Sequence, residues 1–284
     1  MRIFFRVDAS SLIGSGHVVR CLTLAEELRR SEAEVCFVCR ELSGNLNHLI
    51  VERGFSLASL PAPPRQSNNL DWTRHAEWLG VHWEQDAEET LHHLENRGER
   101  VDWLVLDHYA LDHNWEAQMR KGIDKLMVID DLADRRHDCD LLLDQNLFKD
   151  GESRYEDLVP RACTRLIGPR YALLRPEFAE VRKTLSPHRG SVARVFVFMG
   201  GSDLDNVSGK VLDAIEQIST PGFYVDLVVG GQSANQLGLR NACSELSQVT
   251  LHENVTDMAS LMSKADLAVG GGGTTNWERA GLGL

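Results

Sequence analysis

The 284-residue sequence has no run of apolar residues approaching the roughly 20 that a membrane-spanning helix needs. Its start, Met1-Arg2-Ile3-Phe4-Phe5-Arg6, is broken by Arg6 and Asp8 where a secretory leader would need a continuous apolar stretch. Secretion and membrane insertion are therefore not expected, and a cytoplasmic location is. Basic residues are also few: 30 Lys and Arg stand against 42 Asp and Glu, a formal net charge of -12. So acidic a chain is a poor non-specific binder of nucleic acid or of an anionic membrane surface.

Several motifs are missing as well. The six cysteines show no framework spacing. Cys36 and Cys39 form a C-x-x-C, but inside the run Val35 to Cys39, which reads as a strand. Residues three apart on a strand point to opposite faces, and no second C-x-x-C completes a zinc site, so buried thiols are expected. Val19 stands where the third glycine of G-x-G-x-x-G belongs after Gly14 and Gly16. Gly209-Lys210 is followed by Val211, and Leu204 replaces the earlier glycine of a P-loop. NAD-type and kinase-like readings lose their main support.

What is present is an alternation of β-rich runs with amphipathic stretches. Ile3 to Val7, Val35 to Cys39, Trp103 to Leu106, Leu126 to Ile129 and Leu141 to Leu143 read as buried strands. Helical patterns lie between most of them, including Val18 to Arg30 and Trp72 to Glu95. This pattern implies an α/β fold with a parallel sheet covered by helices. A composition break at Ser186-Pro187-His188-Arg189-Gly190-Ser191 precedes a second series: Val195 to Phe198, Tyr224 to Val229, Val249 to Leu251 and Leu267 to Val269. Two domains are expected, at residues 1–185 and 192–284.

Glycine separates the halves. Thirteen of the 23 glycines fall in residues 195–284, mostly directly after strands: Gly200-Gly201, Gly230-Gly231 and Gly270 to Gly273. Strands that end in glycines and open helices expose backbone N–H groups to a close-approaching ligand. Ligands in open α/β sheets bind at the carboxyl ends of strands. Tight turns alone would explain one or two of these sites, whereas three successive ones favour a ligand crevice.

Chemistry has three candidate locations. The first strand leads into a Gly14-Ser15-Gly16 loop that delivers His17 to the first turn of a helix. A histidine there either caps and packs, or serves as a neutral base, since a positive helix end disfavours imidazolium. Asp107-His108-Tyr109 follows another strand of the same sheet, and Asp130-Asp131 follows the next. Adjacent residues diverge in direction and no H-E-x-x-H supports a metal, so hydrogen-bonding or orienting roles are favoured. His92-His93 lies on a polar helical stretch and reads as solvated.

The third location is Leu267 to Glu278: a buried strand, four glycines, hydroxyls at a helix start and a carboxylate one turn in. Glycine amides and Thr274 suit a diphosphate, and Glu278 can accept hydrogen bonds from ribose hydroxyls. Residues 195–284 carry four cations (Lys210, Arg240, Lys264, Arg279) against ten carboxylates. A phosphate bound there would depend on backbone dipoles more than on a cationic clamp, which points to a nucleotide sugar.

These segments together resemble the pseudaminic-acid-pathway UDP-sugar hydrolases. The resemblance rests on Arg6 to Ser10 and Ile13 to Cys21, on Asp107-His108-Tyr109, Asp130-Asp131, Gly168 to Phe178, Phe198 to Asp203 and Gly270 to Glu278, in that order. It implies a GT-B architecture, with two Rossmann-like domains facing across a cleft. It implies hydrolysis of UDP-2,4-diacetamido-2,4,6-trideoxy-β-L-altropyranose to UDP and free sugar, without a metal or cofactor. Water would attack the anomeric carbon with C–O cleavage and inversion, a step toward pseudaminic acid and flagellin glycosylation. By the resemblance His17 is the catalytic base and Tyr109 a second active-site residue. Asn276 and Glu278 fall in the nucleotide-binding motif, with Gly14, Gly16, Gly200, Gly201, Gly272, Gly273 and Thr274 as further contacts for the UDP-sugar. Family members continue past the glycine-rich motif, so a second domain cut short at its C-terminus is expected. A GT-B glycosyltransferase with a UDP-sugar donor, or a non-catalytic nucleotide-sugar-binding module, are the alternatives.

Overall fold

A computed structural model describes residues 1–64, 75–95, 100–186, 190–218, 222–231, 233, 235–253 and 255–284. The chain divides into two compact units, residues 1–13 with 17–173 and residues 14–16 with 174–284.

The first unit runs through β1 (Arg2–Val7), α1 (Gly16–Arg30), β2 (Glu34–Arg40), α2 (Asn47–Glu52), β3 (Ser56–Leu60), α3 (Trp83–Glu95), β4 (Val101–Asp107), α4 (His113–Met119), β5 (Ile123–Ile129), β6 (Leu141–Asp144) and β7 (Thr164–Ile167). Its seven strands form one parallel sheet in the order β3-β2-β1-β4-β5-β6-β7. Successive strand residues supply opposite faces. Phe4, Cys36, Val38, Leu104, Leu106 and Val128 pack with Ala87 and Leu94 of α3 and with Trp115 and Met119 of α4. Ile3, Phe5, Val7, Phe37, Cys39 and Val105 pack with Val18, Cys21, Leu22 and Ala25 of α1 and with Ile50 of α2. Cys36 and Cys39 thus do lie on opposite faces, both buried.

Charge also enters this core. Arg6 and Arg40 sit inside strands yet are fully buried. Asp86 of α3 accepts from Arg6 Nη2 at 2.6 Å, Arg40 Nη2 at 2.7 Å and Trp115 Nε1 at 3.1 Å. Arg6 Nη1 also lies 2.7 Å from Asp8 Oδ1. Buried charges persist only when paired in this way.

The second unit contains α5 (Pro176–Thr184), β8 (Arg194–Phe198), α6 (Val207–Glu216), β9 (Tyr224–Val229), α7 (Gln236–Glu245), β10 (Val249–Glu253), α8 (Met258–Met262), β11 (Leu267–Gly270) and α9 (Thr275–Leu282). Its parallel sheet has the order β10-β9-β8-β11. Val195, Val197, Val225 and Leu227 pack on α6 and α7 through Leu212, Ile215, Leu239 and Cys243. Phe196 and Val228 face Phe178 of α5, Met258 and Met262 of α8 and Leu282 of α9.

Three expectations from sequence differ from this architecture. The unit boundary falls at Leu173/Leu174, ahead of the 185–192 break, because Phe178 of α5 is buried in the second unit's core. Pro187, His188 and Arg189 of that break lie outside the described residues, as do residues 72–74 of the stretch expected to be helical from Trp72. Within that stretch α3 begins only at Trp83. Gly80 adopts φ +74, a left-handed conformation that ends the short 3-10 turn Ala76–Trp78 before α3 can start. The strands β3 and β7 were not expected at all. Both are sheet edges with the mixed burial of SLASL and TRLI, so neither carries the continuous apolar run of a central strand.

Candidate active site

In the first sheet, strand order reverses between β1 and β4, which pair with Val7 opposite Asp107. Ligands in open α/β sheets bind at the carboxyl ends of strands beside such a switch point. The turn after β1 leads to His17 on the first turn of α1, and β4 ends in Asp107, followed by His108 and Tyr109.

His17 Nδ1 lies 2.5 Å from Asp107 Oδ1. Asp107 is fully buried and also accepts from Arg20 Nε (2.6 Å to Oδ2) and Arg20 Nη2 (2.6 Å to Oδ1). Arg20 sits one turn beyond His17 on α1, the spacing that puts both side chains on one helix face. Burial pushes the Asp107 carboxyl upward, but the Arg20 charge and the hydrogen bonds from Arg20 and His17 outweigh it and hold the group well below the usual carboxylate range. An ionised carboxylate can only accept, so His17 Nδ1 carries the proton and, in the neutral ring, Nε2 keeps its lone pair. Arg20 Nη2, 3.3 Å from the same Nδ1, then stands beside it as a second donor to Asp107.

Tyr109 completes the cluster. Its ring meets the His17 ring edge-on, with centroids 4.6 Å apart and an 81° angle. Its hydroxyl donates to Asp131 Oδ1, while Asp131 Oδ2 accepts from Arg20 Nη1 at 3.2 Å and Asn146 Nδ2 at 3.0 Å. Burial, together with Asp131, raises the phenol above its ordinary value against the opposing pull of Arg20. Tyr109 therefore stays a neutral donor. Trp78 stacks on Tyr109 at 5.6 Å and 30°, giving the histidine an aromatic surround. Among the described residues, no group of three His, Cys, Asp or Glu side chains could hold a metal ion.

The second sheet reverses between β8 and β11. Gly200 and Gly201 follow β8, and Gly272 and Gly273 follow β11, so four predicted glycines gather at adjacent strand ends. Gly230, after β9, has a different role: a Cβ there would come within 2.2 Å of the Gly201 carbonyl oxygen, so backbone packing accounts for this glycine. The helix start nearest Gly200 is already occupied. Asp203 accepts from the Val207 and Ser208 amides at 2.8 and 2.9 Å, placing its own carboxylate at the start of α6. At the start of α9, Thr274 at the N-cap makes no side-chain capping bond.

Two residues of α9 are engaged within the unit. Asn276 Oδ1 accepts from Arg279 Nη2. Glu278 is buried, 2.9 Å from Arg175 Nε and Nη2. Burial raises the Glu278 carboxyl above its ordinary value, with Arg175 opposing. Arg175 adds to this unit a cation that lies ahead of residues 195–284 in the sequence. Gly14 lies in the turn before α1 and Gly16 is the first residue of α1; both are grouped with the second unit. The i, i+3 spacing of Arg20 to His17 is legible on α1, but the pairing of Arg20 with Asp107, 87 positions away, and the stacking of Trp78 on Tyr109 carry no short-range sequence signal.

No protein-family profile matches the chain. Over 270 residues it is 26% identical to the UDP-2,4-diacetamido-2,4,6-trideoxy-beta-L-altropyranose hydrolase of Campylobacter jejuni, spanning 94% of this chain and 83% of that protein. An uncharacterized protein of Methanocaldococcus jannaschii is 23% identical over 290 residues, covering the whole of this chain but only 54% of that relative. Among solved structures, the glycosyltransferase SnogD of Streptomyces nogalater matches with a TM-score of 0.54 at 16% identity, over 98% of this chain and 78% of that one. The fold is thus the α/β arrangement of GT-B glycosyltransferases, with two parallel sheets. Among the described residues no helix is long and apolar enough to cross a membrane.

Proposed function

We propose that the chain is a nucleotide-sugar hydrolase that cleaves UDP-2,4-diacetamido-2,4,6-trideoxy-β-L-altropyranose to UDP and the free sugar. The observation that carries this reading is the 2.5 Å contact between His17 Nδ1 and Asp107. It leaves Nε2 as the end of the ring that takes a proton from water. The named hydrolase relative at 26% identity supports the substrate class.

In this reading water attacks the anomeric carbon as its proton passes to His17 Nε2, and the glycosyl C–O bond breaks with inversion. Asp107 steadies the imidazolium that forms, and Arg20 keeps Asp107 ionised for that purpose. Tyr109 donates a hydrogen bond near the reacting centre or holds Asp131 in place. UDP is a good leaving group without protonation of the bridging oxygen, so the second carboxylate of a glycosidase is unnecessary. Its developing charge is met by amide dipoles at the glycine turns. Gly200, Gly201, Gly272, Gly273, Thr274, Asn276 and Glu278 are assigned to the nucleotide, and Gly14 and Gly16 to the substrate side of the His17 turn.

The test is an anomeric-proton NMR assay with the L-altro UDP-sugar and UDP-GlcNAc in parallel, without acceptor and with EDTA present. Steady release of UDP from the L-altro compound, with label from ¹⁸O-water in the sugar and none in UDP, is the expected result. UDP release that appears only when an acceptor is added would identify a glycosyltransferase instead.

A further inference from the structure

Cys139 and Cys163 lie at the opposite end of the first sheet from His17, just ahead of β6 and β7. Both are buried, and their Sγ atoms are 3.5 Å apart. The backbone sets that separation. Thr164 N donates to Asp140 O at 2.9 Å, so the residues that directly follow the two cysteines are hydrogen-bonded neighbours. Asp140 is fixed in turn, accepting from Arg120 Nη1 at 2.5 Å, Leu126 N at 2.8 Å and Lys125 Nζ at 3.0 Å. Leu141 is registered with Thr164 in the β6–β7 ladder, so Cys163 stands one step off register from Cys139 on the adjacent segment. A bonded pair has its sulfurs roughly 2.05 Å apart, so closure brings together two Sγ atoms that already stand 3.5 Å apart.

We propose that Cys139 and Cys163 are a modification site: a dithiol that closes to a reversible intramolecular disulfide under a two-electron oxidant. Each thiol gives up its proton, the S–S bond forms, and both electrons pass to the oxidant, here the azo compound diamide, which is reduced to its hydrazine. The hydrogen bond between the two sulfurs draws the Cys163 thiol below its ordinary value and pushes the Cys139 thiol above it. Cys163 is also the more exposed of the two, at 8% against 2%. It is therefore the sulfur that reacts first, and Cys139 resolves the adduct. The other cysteines are placed differently. Cys21 donates to Asp107, Cys36 and Cys39 occupy opposite sheet faces, and Cys243 belongs to the other unit's core.

The folded full-length chain would be treated with diamide, quenched, unfolded and titrated for thiols, then digested without reductant. The expected count falls from six to four, with a single linked peptide joining Cys139 to Cys163 and full recovery in dithiothreitol. The linked protein should melt higher by roughly 5 °C or more, because the closed loop restricts the unfolded chain. Cys163→Ala, the milder of the two substitutions by exposure, should keep all five remaining thiols under the same treatment. Six thiols persisting in the folded wild type, a link between other cysteines, or loss of two thiols in Cys163→Ala would overturn the proposal. This test reads thiols and stability only, so it stands apart from the assignment of the enzyme activity.

Discussion

His17 and Asp107 are 90 positions apart in sequence, yet imidazole Nδ1 and carboxylate Oδ1 meet at 2.5 Å. The contact divides the ring into an end that is held and an end that works. It exists because β1 and β4 are neighbours in the sheet, with Val7 registered against Asp107.

Replacing His17 with Asn or Leu removes the working end. Turnover should fall by about 10²- to 10⁴-fold or below detection, while UDP binding measured by calorimetry stays within twofold. Near-normal kcat in either variant would show that another group is the base.

Asp107→Asn keeps the shape but offers an amide that can donate to Nδ1 and favour the wrong tautomer. The expected loss is roughly 10³- to 10⁴-fold in kcat with KM little changed. The ¹⁵N chemical shifts of the neutral His17 ring should move the proton from Nδ1 to Nε2 in the variant. A proton already on Nε2 in the wild type contradicts the assigned geometry, whatever the activity.

Stability should depend on acid in a defined direction. Asp8, Asp86, Asp107 and Asp130 are buried, which alone would raise their pKa values, but Arg6, Arg20 and Arg135 among their partners hold all four below the ordinary value. Each then contributes stability that is complete above an unfolded pKa of about 3.9 and is lost as pH falls toward the folded value. His108, lowered by burial despite Asp8, begins the loss earlier, from about pH 6.5, as the unfolded chain takes up its proton. Urea midpoints followed from pH 8 to pH 3 should fall steadily below pH 6.5 and steeply below pH 4; an unchanged midpoint would refute the burial of these groups as ions.

Arg175→Met strips the buried Glu278 of its cation. A loss of about 3 kcal/mol is expected for breaking such a pair, read from denaturation of the full chain. Because the Glu278 pKa is already raised, its stability contribution is complete below an unfolded value of about 4.3 and declines as pH rises. The deficit of the variant should therefore widen between pH 5 and pH 8. Adding Glu278→Gln should recover part of it, and equal deficits at both pH values would argue against a buried charge.

Much of the fold was legible because central parallel strands are buried on both faces. Runs such as Val35 to Cys39 and Tyr224 to Val229 announce themselves, whereas the edge strands Ser56–Leu60 and Thr164–Ile167 do not. At the candidate site, His17 is legible as a helix-start residue and Tyr109 as a residue just past a strand end, and their rings meet. The partnerships were not legible. Nothing local connects Arg20 to Asp107 and Asp131, or Arg175 to Glu278 across 103 positions. Those links follow from strand order and from which core claims α5, and a composition break at 186–191 conceals the second.

The allegiance of α5 has a practical consequence for dissecting the protein. Phe178 is buried among Phe196, Met258, Met262 and Leu282, Arg182 Nη1 donates to the Leu282 carbonyl at 3.1 Å, and Arg175 neutralises Glu278. A fragment begun at the visible break would leave an unfilled aromatic hole and an orphaned carboxylate. A fragment begun at Leu174 is somewhat longer but keeps the plug and the counter-ion together, so it is the piece from which the second unit could be prepared on its own.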